Sequence, residues 1–503
     1  MRTLTEFPLF VLLAMIGAAA MLVPALHAVQ LEQWKIARTF LYHGIFFFMF
    51  ASIIGVATMN RAPRLTAKAH LLTLFLSYLL FPAMLAAPVL QLVPSLAFSQ
   101  GYFEMLANLT TTGGTVFERP GELAQPLQLW SALVGWMGGF LILMAALAVL
   151  EPMNLGGFEI RSVVMRSGSG TVRSTDASKE ATERIIRVSR GLAGPYVVLT
   201  GVLALLLILL GDRPFVAVSH AMAVLATNGT SPVGGITGAS SGIPGEMVVA
   251  VFLFFAVSHW LFRFDFSRDQ IRALRRDPEI LLGVNIVALV AVALFLRHWF
   301  AAFEVEEEQN VTSALRAFWG SFFTAFSFLT TLGFESADWS TSRSWSGLGT
   351  PGLVLLGLAM LGGGVATTAG GVKLLRVFAL YKHGMREMNR LVHPSAVAGA
   401  GSSARRFRRE GAQLAWVFLM LFLLSVAALM LLLSAAGIGF EASLALAVSS
   451  VTNTGPAAAL VDTGSTNYAN LAAFPRYVLC AAMILGRMET LAVIALLNPD
   501  YWR

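Results

Sequence analysis

Ten apolar runs, each about the length that crosses a bilayer, govern what this chain can fold into. They fall at roughly 7–29, 39–59, 69–92, 127–150, 191–211, 243–262, 280–300, 349–372, 411–435 and 474–497. A run of about 20 apolar residues matches the hydrocarbon thickness of a membrane. Of the 503 residues, 56% are hydrophobic and 13% are charged. A soluble domain carries roughly a quarter charged residues, so a water-soluble core cannot account for this chain. The stretch from Phe7 to about Leu26 reads as a retained first helix and not as a leader. The single cysteine, Cys480, excludes an internal disulfide and a thiolate cluster.

Between some of these runs lie shorter apolar segments at about 98–109, 214–226, 313–329 and 440–451. They are too short to span and are expected to be re-entrant. Each leads into a polar turn. The turns read Thr110-Thr111-Thr112-Gly113-Gly114-Thr115, Ala226-Thr227-Asn228-Gly229-Thr230-Ser231, Thr330-Thr331-Leu332-Gly333-Phe334-Glu335 and Thr452-Asn453-Thr454-Gly455-Pro456-Ala457. Their shared core is a Thr or Asn, any residue, then Gly. One such triplet means nothing; its ordinary reading is a packing glycine. Four in register, each after a short helix and before a long one, are an internal repeat.

That pattern suits one chemistry. A cation that sheds its water needs a ring of oxygens, which backbone carbonyls can supply. Aiming successive carbonyls inward requires backbone conformations that glycine tolerates. Threonine hydroxyls add a further ring at the cytoplasmic end. The short helix turns its partially negative C-terminal end toward the ion. The expected filter is Thr111, Thr112, Gly113 and Gly114; Thr227, Asn228, Gly229 and Thr230; Thr331, Leu332, Gly333 and Phe334; and Asn453, Thr454, Gly455 and Pro456.

Charge sets the expected topology. The loops assigned to one side hold 24 of the 35 Lys and Arg, and Arg2 with Arg503 brings this to 26. The positive-inside rule then puts both termini in the cytoplasm. The net charge of +7 follows from topology, and nucleic-acid binding is not needed to explain it. The acidic run from Glu304 to Glu308 falls on the opposite side and reads as a solvated loop.

The turns TTTGGTVF (110–117), TNGTSP (227–232), LTTLGFES (329–336) and VTNTGPA (451–457) resemble the Trk/Ktr/HKT superfamily of potassium transporters, most closely the bacterial TrkH type. The likeness extends over essentially the whole chain and includes two extra N-terminal helices. It implies an all-α integral membrane fold of four helix–re-entrant loop–helix repeats around one pore. The repeat boundaries it implies are 1–64 for the two leading helices, then 65–160, 161–275, 276–395 and 396–503. It also implies potassium uptake across the bacterial inner membrane, a homodimer and a cytosolic nucleotide-binding regulatory subunit. Docking of that subunit is expected on the basic loops 161–190, 263–276 and 373–409. Potassium would be the substrate, and no cofactor is expected.

Two segments extend the resemblance. LGGGVATTAGGVKLLRV (361–377) is too rich in glycine and hydroxyl residues for a rigid helix. It resembles the family's intramembrane gating loop, which implies gate roles for Gly362, Gly363, Gly364, Thr367, Thr368, Gly370, Gly371 and Lys373. A nucleotide-binding loop is a poorer reading, because no Gly-Lys-[Ser/Thr] follows. In LGRMETLAVI (485–494), Arg487 lies midway along an apolar run, where a charge is costly and marks a functional site. The family likeness makes it a barrier beside the gate; pairing with Glu489 is the ordinary alternative. Asn228 and Leu332 depart from the family pattern in side chain only, while Gly113 is present and favours potassium over sodium by analogy.

Rival readings make different demands. The eight histidines are scattered, and no HExxH or Ser/His/Asp set is evident, which disfavours a membrane enzyme. A secondary transporter of another fold would show inverted repeats, whereas these share one orientation. Ion coupling would place carboxylates inside spans, and Glu151 and Glu489 are the candidates. A sodium or mixed-cation pathway of the same architecture is the nearest alternative.

Overall fold

The computed structural model describes residues 8–58, 67–117, 120–152, 157, 177–263, 272, 274–275, 277–302, 310–340, 342, 352–393, 402–461, 466–489 and 493. Glu304–Glu308 and much of the basic 161–190 and 263–276 loops lie outside these residues. The described secondary structure is helical, with no strand. α1 (Leu9–Ala20) and α2 (Leu22–Gln30) form one span bent at Met21, followed by α3 (Trp34–Thr58). Four units of common plan follow.

The first unit has α4 (Ala67–Leu92), α5 (Phe98–Leu109) and α6 (Gln125–Ala145), the last running into a π turn at Ala146–Leu150. The second has α7 (Ala177–Leu209), α8 (Pro214–Ala226) and α9 (Gly242–Leu253). The third has α10 (Pro278–Ala302), α11 (Asn310–Leu329) and α12 (Gly352–Leu361), then α13 (Leu374–Val392). The fourth has α14 (Ser402–Ala435), α15 (Phe440–Val451) and α16 (Ala473–Met488). In each unit the middle helix is the expected short segment; α11 alone starts earlier, because its polar first turn was not counted as apolar.

Among the described residues, seven helices are long and apolar enough to cross a membrane. This is fewer than the ten expected spans, for a common reason. The closing helices of the second, third and fourth units break early. α9 gives way to 3-10 turns at Phe254–Ala256 and His259–Arg263. α12 stops at Leu361. α16 stops at Met488, where Glu489 adopts a left-handed φ of 62°. Hydropathy measures transfer into lipid and cannot see a backbone break whose freed groups find partners inside the protein.

The packing closes a ring. α6 packs on α8, α9 on α11, α12 on α15, and α16 returns to α5. Each unit's closing helix therefore supports the short helix of the next. Close approach is built in where it is needed: a Cβ at Gly138 of α6 or at Gly486 of α16 would collide with the last carbonyls of α5 or α15. Small residues allow such contact between membrane helices.

Candidate functional site

The four short helices end in the same way. The N–H groups of Thr112, Asn228, Leu332 and Thr454 donate to carbonyls five residues back, on Ala107, Ala223, Ser327 and Ser449, at 2.7–3.0 Å. The preceding residues, Thr111, Thr227, Thr331 and Asn453, donate to carbonyls three back and have left-handed φ of 53°, 49°, 59° and 55°. This is the Schellman helix end, usually closed by glycine. Here a Thr or Asn holds the position in all four units. Non-glycine residues in this region cost about 1–3 kcal/mol and persist only where their surroundings fix them, commonly at functional sites.

The turns converge. A Cβ at Gly113 would lie 2.5 Å from Gly229 N; one at Gly229 would lie 2.7 Å from Leu332 O. One at Gly333 would meet Pro456 at 3.0 Å, and one at Gly455 would collide with Gly113 and Gly114. Each loop thus touches the next, and the fourth touches the first. Gly455 N–H donates to Thr112 O (2.6 Å), and Asn453 Nδ2 donates to Thr112 Oγ1 (3.0 Å), which ties the fourth loop to the first. Asn228 Nδ2 reaches Asn108 Oδ1 of the first unit (3.3 Å). The fourfold likeness is imperfect: Gly113 and Gly333 have positive φ, whereas Gly229 and Gly455 do not. Leu332 is fully buried, so that loop offers backbone and not side-chain oxygen.

A cavity of about 660 Å³ opens above the loops, bordered by Gly113, Gly229, Gly333 and Gly455. Tyr468 stands at its wall; its hydroxyl donates to Gly455 O (3.1 Å) and lies 3.0 Å from Ser449 Oγ. Burial pushes this phenol up to about 12, partly offset by the Ser449 bond, so it remains a neutral donor.

On the other side of the turns, residues 362–373 fold into a closed loop. Its neck is laced by Val372 N–H to Met360 O, Lys373 N–H to Leu361 O and Leu374 N–H to Gly363 O, all 2.9 Å. The strands cross where Gly362 (φ 73°) meets Gly371 (φ 78°); a Cβ on Gly371 would lie 2.6 Å from Gly362 Cα. The loop sits against three short-helix ends. Thr368 Oγ1 donates to Leu225 O (3.3 Å), Gly370 N–H donates to Thr331 Oγ1 (2.9 Å), and Gly370 packs on Thr452 O with no room for a side chain. Gly364 N–H donates to Ala256 O in the break of α9 (3.1 Å), and Gly363 packs against the same carbonyl. Val365 N–H donates to Glu279 Oε1 of α10 (2.7 Å). Thr367 Oγ1 donates to Gly364 O inside the loop (2.7 Å). Lys373 Nζ turns back to Ala369 O.

Arg487 is buried, and its Nη1 donates to Thr368 O (2.7 Å) while Nε and Nη2 have no hydrogen-bond partner. Glu489 pairs elsewhere, with Arg376 Nη2 at 2.6 Å, and Arg376 lies 3.6 Å over the Phe418 ring. The pairing of Arg487 with Glu489 weighed from sequence is therefore not the one formed. Glu151 is exposed.

Several buried carboxylates escaped sequence reading. Glu104 accepts from Val116 N–H, and Glu246 of α9 accepts from Trp319 Nε1 (2.9 Å), Ser336 Oγ (2.7 Å) and Ala337 N–H (2.7 Å). Asp277 accepts from Ser258 Oγ (2.8 Å) beside the α9 break. An acidic residue inside a short apolar run, as Glu104 is, was the available signal. No His/Cys/Asp/Glu group with metal-holding geometry occurs among the described residues.

Comparison with known proteins agrees with this architecture. The family model described as TrkH, cation transport protein, matches residues 272–500. The chain is 28% identical over 412 residues to "Trk system potassium uptake protein TrkH" of Escherichia coli (strain K12), covering 82% of this chain and 80% of that one. It is 26% identical over 465 residues to "Trk system potassium uptake protein TrkG" of the same strain, covering 91% and 90%. The crystal structure of the potassium transporter TrkH from Vibrio parahaemolyticus has the same fold, with a TM-score of 0.81 over 100% of both chains at 23% identity. The chain is therefore similar, over most of its length, to the potassium uptake proteins of the Trk system, which are membrane transporters and not enzymes, and it shares the fold of one of them.

Proposed function

We propose that this chain takes up potassium across the cytoplasmic membrane through a filter built from its four loops. The observation that carries the reading is the closed ring of glycine contacts at 113, 229, 333 and 455, on four identical helix ends. Such a ring brings backbone oxygens from all four units around one axis, which is what coordination of a dehydrated cation requires. The similarity to proteins named for potassium uptake supplies the ion. The loop 362–373 is the gate, since it lies directly across the short-helix ends and must move before an ion can pass. Arg487 stands beside it with two unsatisfied donors and opposes a cation electrostatically.

The repeat boundaries 65–160, 161–275, 276–395 and 396–503 belong to the same reading. In this reading both termini lie in the cytoplasm of a bacterial cell, on the gate side, in keeping with the positive-inside rule. The basic stretch 373–409, in which Lys382 and Arg390 of α13 are exposed, is where a cytosolic nucleotide-binding regulator would dock, on a homodimer of this chain. Replacing Arg405, Arg406, Arg408 and Arg409 together should weaken docking, and unchanged co-purification with that regulator would count against it.

The test of function is rubidium and sodium uptake, side by side, into proteoliposomes of the purified chain. Rubidium well above sodium supports a potassium filter. Equal uptake makes the pore a general cation pathway. No uptake of either ion, even with the loop 365–369 shortened, overturns the pore.

A further inference from the structure

The repeat exposes a position that the filter motif does not include. Nine residues before each filter glycine stand Glu104, His220, Thr324 and Leu446. All four are buried, at 2%, 0%, 0% and 0% exposure. The first three differ in chemistry yet bond to the same place: the chain two or three residues beyond their own glycine. Glu104 Oε2 accepts from Thr115 Oγ1 (3.0 Å) and from Val116 N–H (2.8 Å). His220 Nε2 lies 2.7 Å from Ser231 Oγ. Thr324 Oγ1 accepts from Ser336 N–H (3.1 Å). In the fourth unit Leu446 can make no such bond, and Tyr468 takes the task by bonding Gly455 O directly from outside the loop.

We infer that Glu104, His220 and Thr324 are positioning residues for ion selectivity: each ties the outgoing strand of its loop back to its own short helix and so fixes the filter carbonyls between the two anchors. Each loop is held below by the helix-end bonds described above. Without an upper tie, the segment between would be free to rotate its peptide planes and follow the size of a smaller ion. Three unrelated side chains at one register serving one contact is what a requirement for the tie, and not for a particular residue, produces. Glu246 adds a second hold on the third loop through Ser336 and Ala337.

This inference rests on the pore reading, and the experiment separates the two. Rubidium and sodium uptake would be measured in proteoliposomes for the native chain, Glu104→Gln, Thr324→Val, Thr324→Ser and Ser231→Ala, with the thermal midpoint of each purified protein. The expected result is a rubidium-to-sodium ratio lowered about tenfold in Thr324→Val, the scale of one buried hydrogen bond, and lowered less in Glu104→Gln, whose amide oxygen can still accept from Val116 N–H. Thr324→Ser, which keeps the hydroxyl, should retain the native ratio. A purely structural role would lower uptake of both ions together and leave the ratio alone, and that outcome overturns the proposal. If Glu104→Gln does not fold, an unchanged ratio in Thr324→Val and Ser231→Ala overturns it equally. A native chain that conducts neither ion, with or without its gate loop shortened, overturns the pore reading itself and the brace with it.

Discussion

Substituting serine for Gly113 strikes the proposed filter where the first loop meets the backbone of the second, and the geometry sets the consequence. Gly113 has a φ of +72°, where a side chain costs roughly 1–2 kcal/mol. Its Cβ would stand 2.5 Å from Gly229 N and 2.8 Å from Gly229 Cα, both backbone atoms of the neighbouring loop. Ordinary contact begins at 3.4 Å, so Gly229 must retreat by about 0.9 Å from the closer approach. Crowding of this kind costs typically about 1–3 kcal/mol. The two effects together come to about 2–5 kcal/mol. Binding constellations hold their geometry to about 0.5 Å, so a shift of this size should undo size selection before it unfolds the chain. The rubidium-to-sodium uptake ratio in proteoliposomes should fall at least tenfold. Gly114→Ser is the calibrating variant. Its φ is unremarkable, and its Cβ would press at 3.0 Å on the Tyr468 ring, a milder approach and to a side chain instead of backbone. Its effect should be clearly smaller. Gly201→Ala in α7, with no atom within 4 Å, should be neutral. A folded Gly113→Ser protein with the native ratio, or a larger effect at Gly114 than at Gly113, would refute the filter geometry.

Other perturbations follow from the layer beneath the filter. Arg487→Gln removes both a positive charge and the bond to Thr368 O, and should raise basal rubidium uptake several-fold; uptake at the native level would exclude a barrier role. Deleting residues 365–369 within the loop should raise uptake further, because contacts to Glu279 and Leu225 go with it. Glu489→Gln removes the carboxylate paired with the fully buried Arg376 guanidinium, and should destabilise by about 3–5 kcal/mol in a thermal or denaturant assay. Replacing both partners by methionine should recover most of that loss.

How much of this was legible from sequence varies by feature, for physical reasons. The bounds of α5, α8 and α15 agree with the expected 98–109, 214–226 and 440–451, because an apolar run meets a Thr/Asn-x-Gly stop that can only leave the helix. The positive φ at Thr111, Thr227, Thr331 and Asn453 was not visible, since sequence rules expect glycine there. The break in α9 was hidden because Phe254, Phe255 and Ala256 are as apolar as the helix around them. It is held by Gly364 N–H on Ala256 O and by Asp277 on Ser258, partners from other parts of the chain. The same holds for Glu246, whose donors lie 73 to 91 residues away. Period and composition report what a residue prefers locally; they do not report which distant donor will meet it.

With the loop 362–373 in its proposed gate role, the bond from Gly370 N–H to Thr331 Oγ1 would make closure depend on the ion carried. Thr331 holds the same register as Thr111, Thr227 and Asn453, whose side-chain oxygens are buried and free of hydrogen bonds. Three of the four side-chain oxygens at this register thus lack a hydrogen bond, and the fourth accepts from the loop 362–373. An ion resting at that level competes with the loop amide for one lone pair. A tenant that lingers keeps the door from shutting, and an empty seat lets it close. Open lifetimes should then lengthen with the dwell time of the ion being carried, and gating becomes a record of traffic.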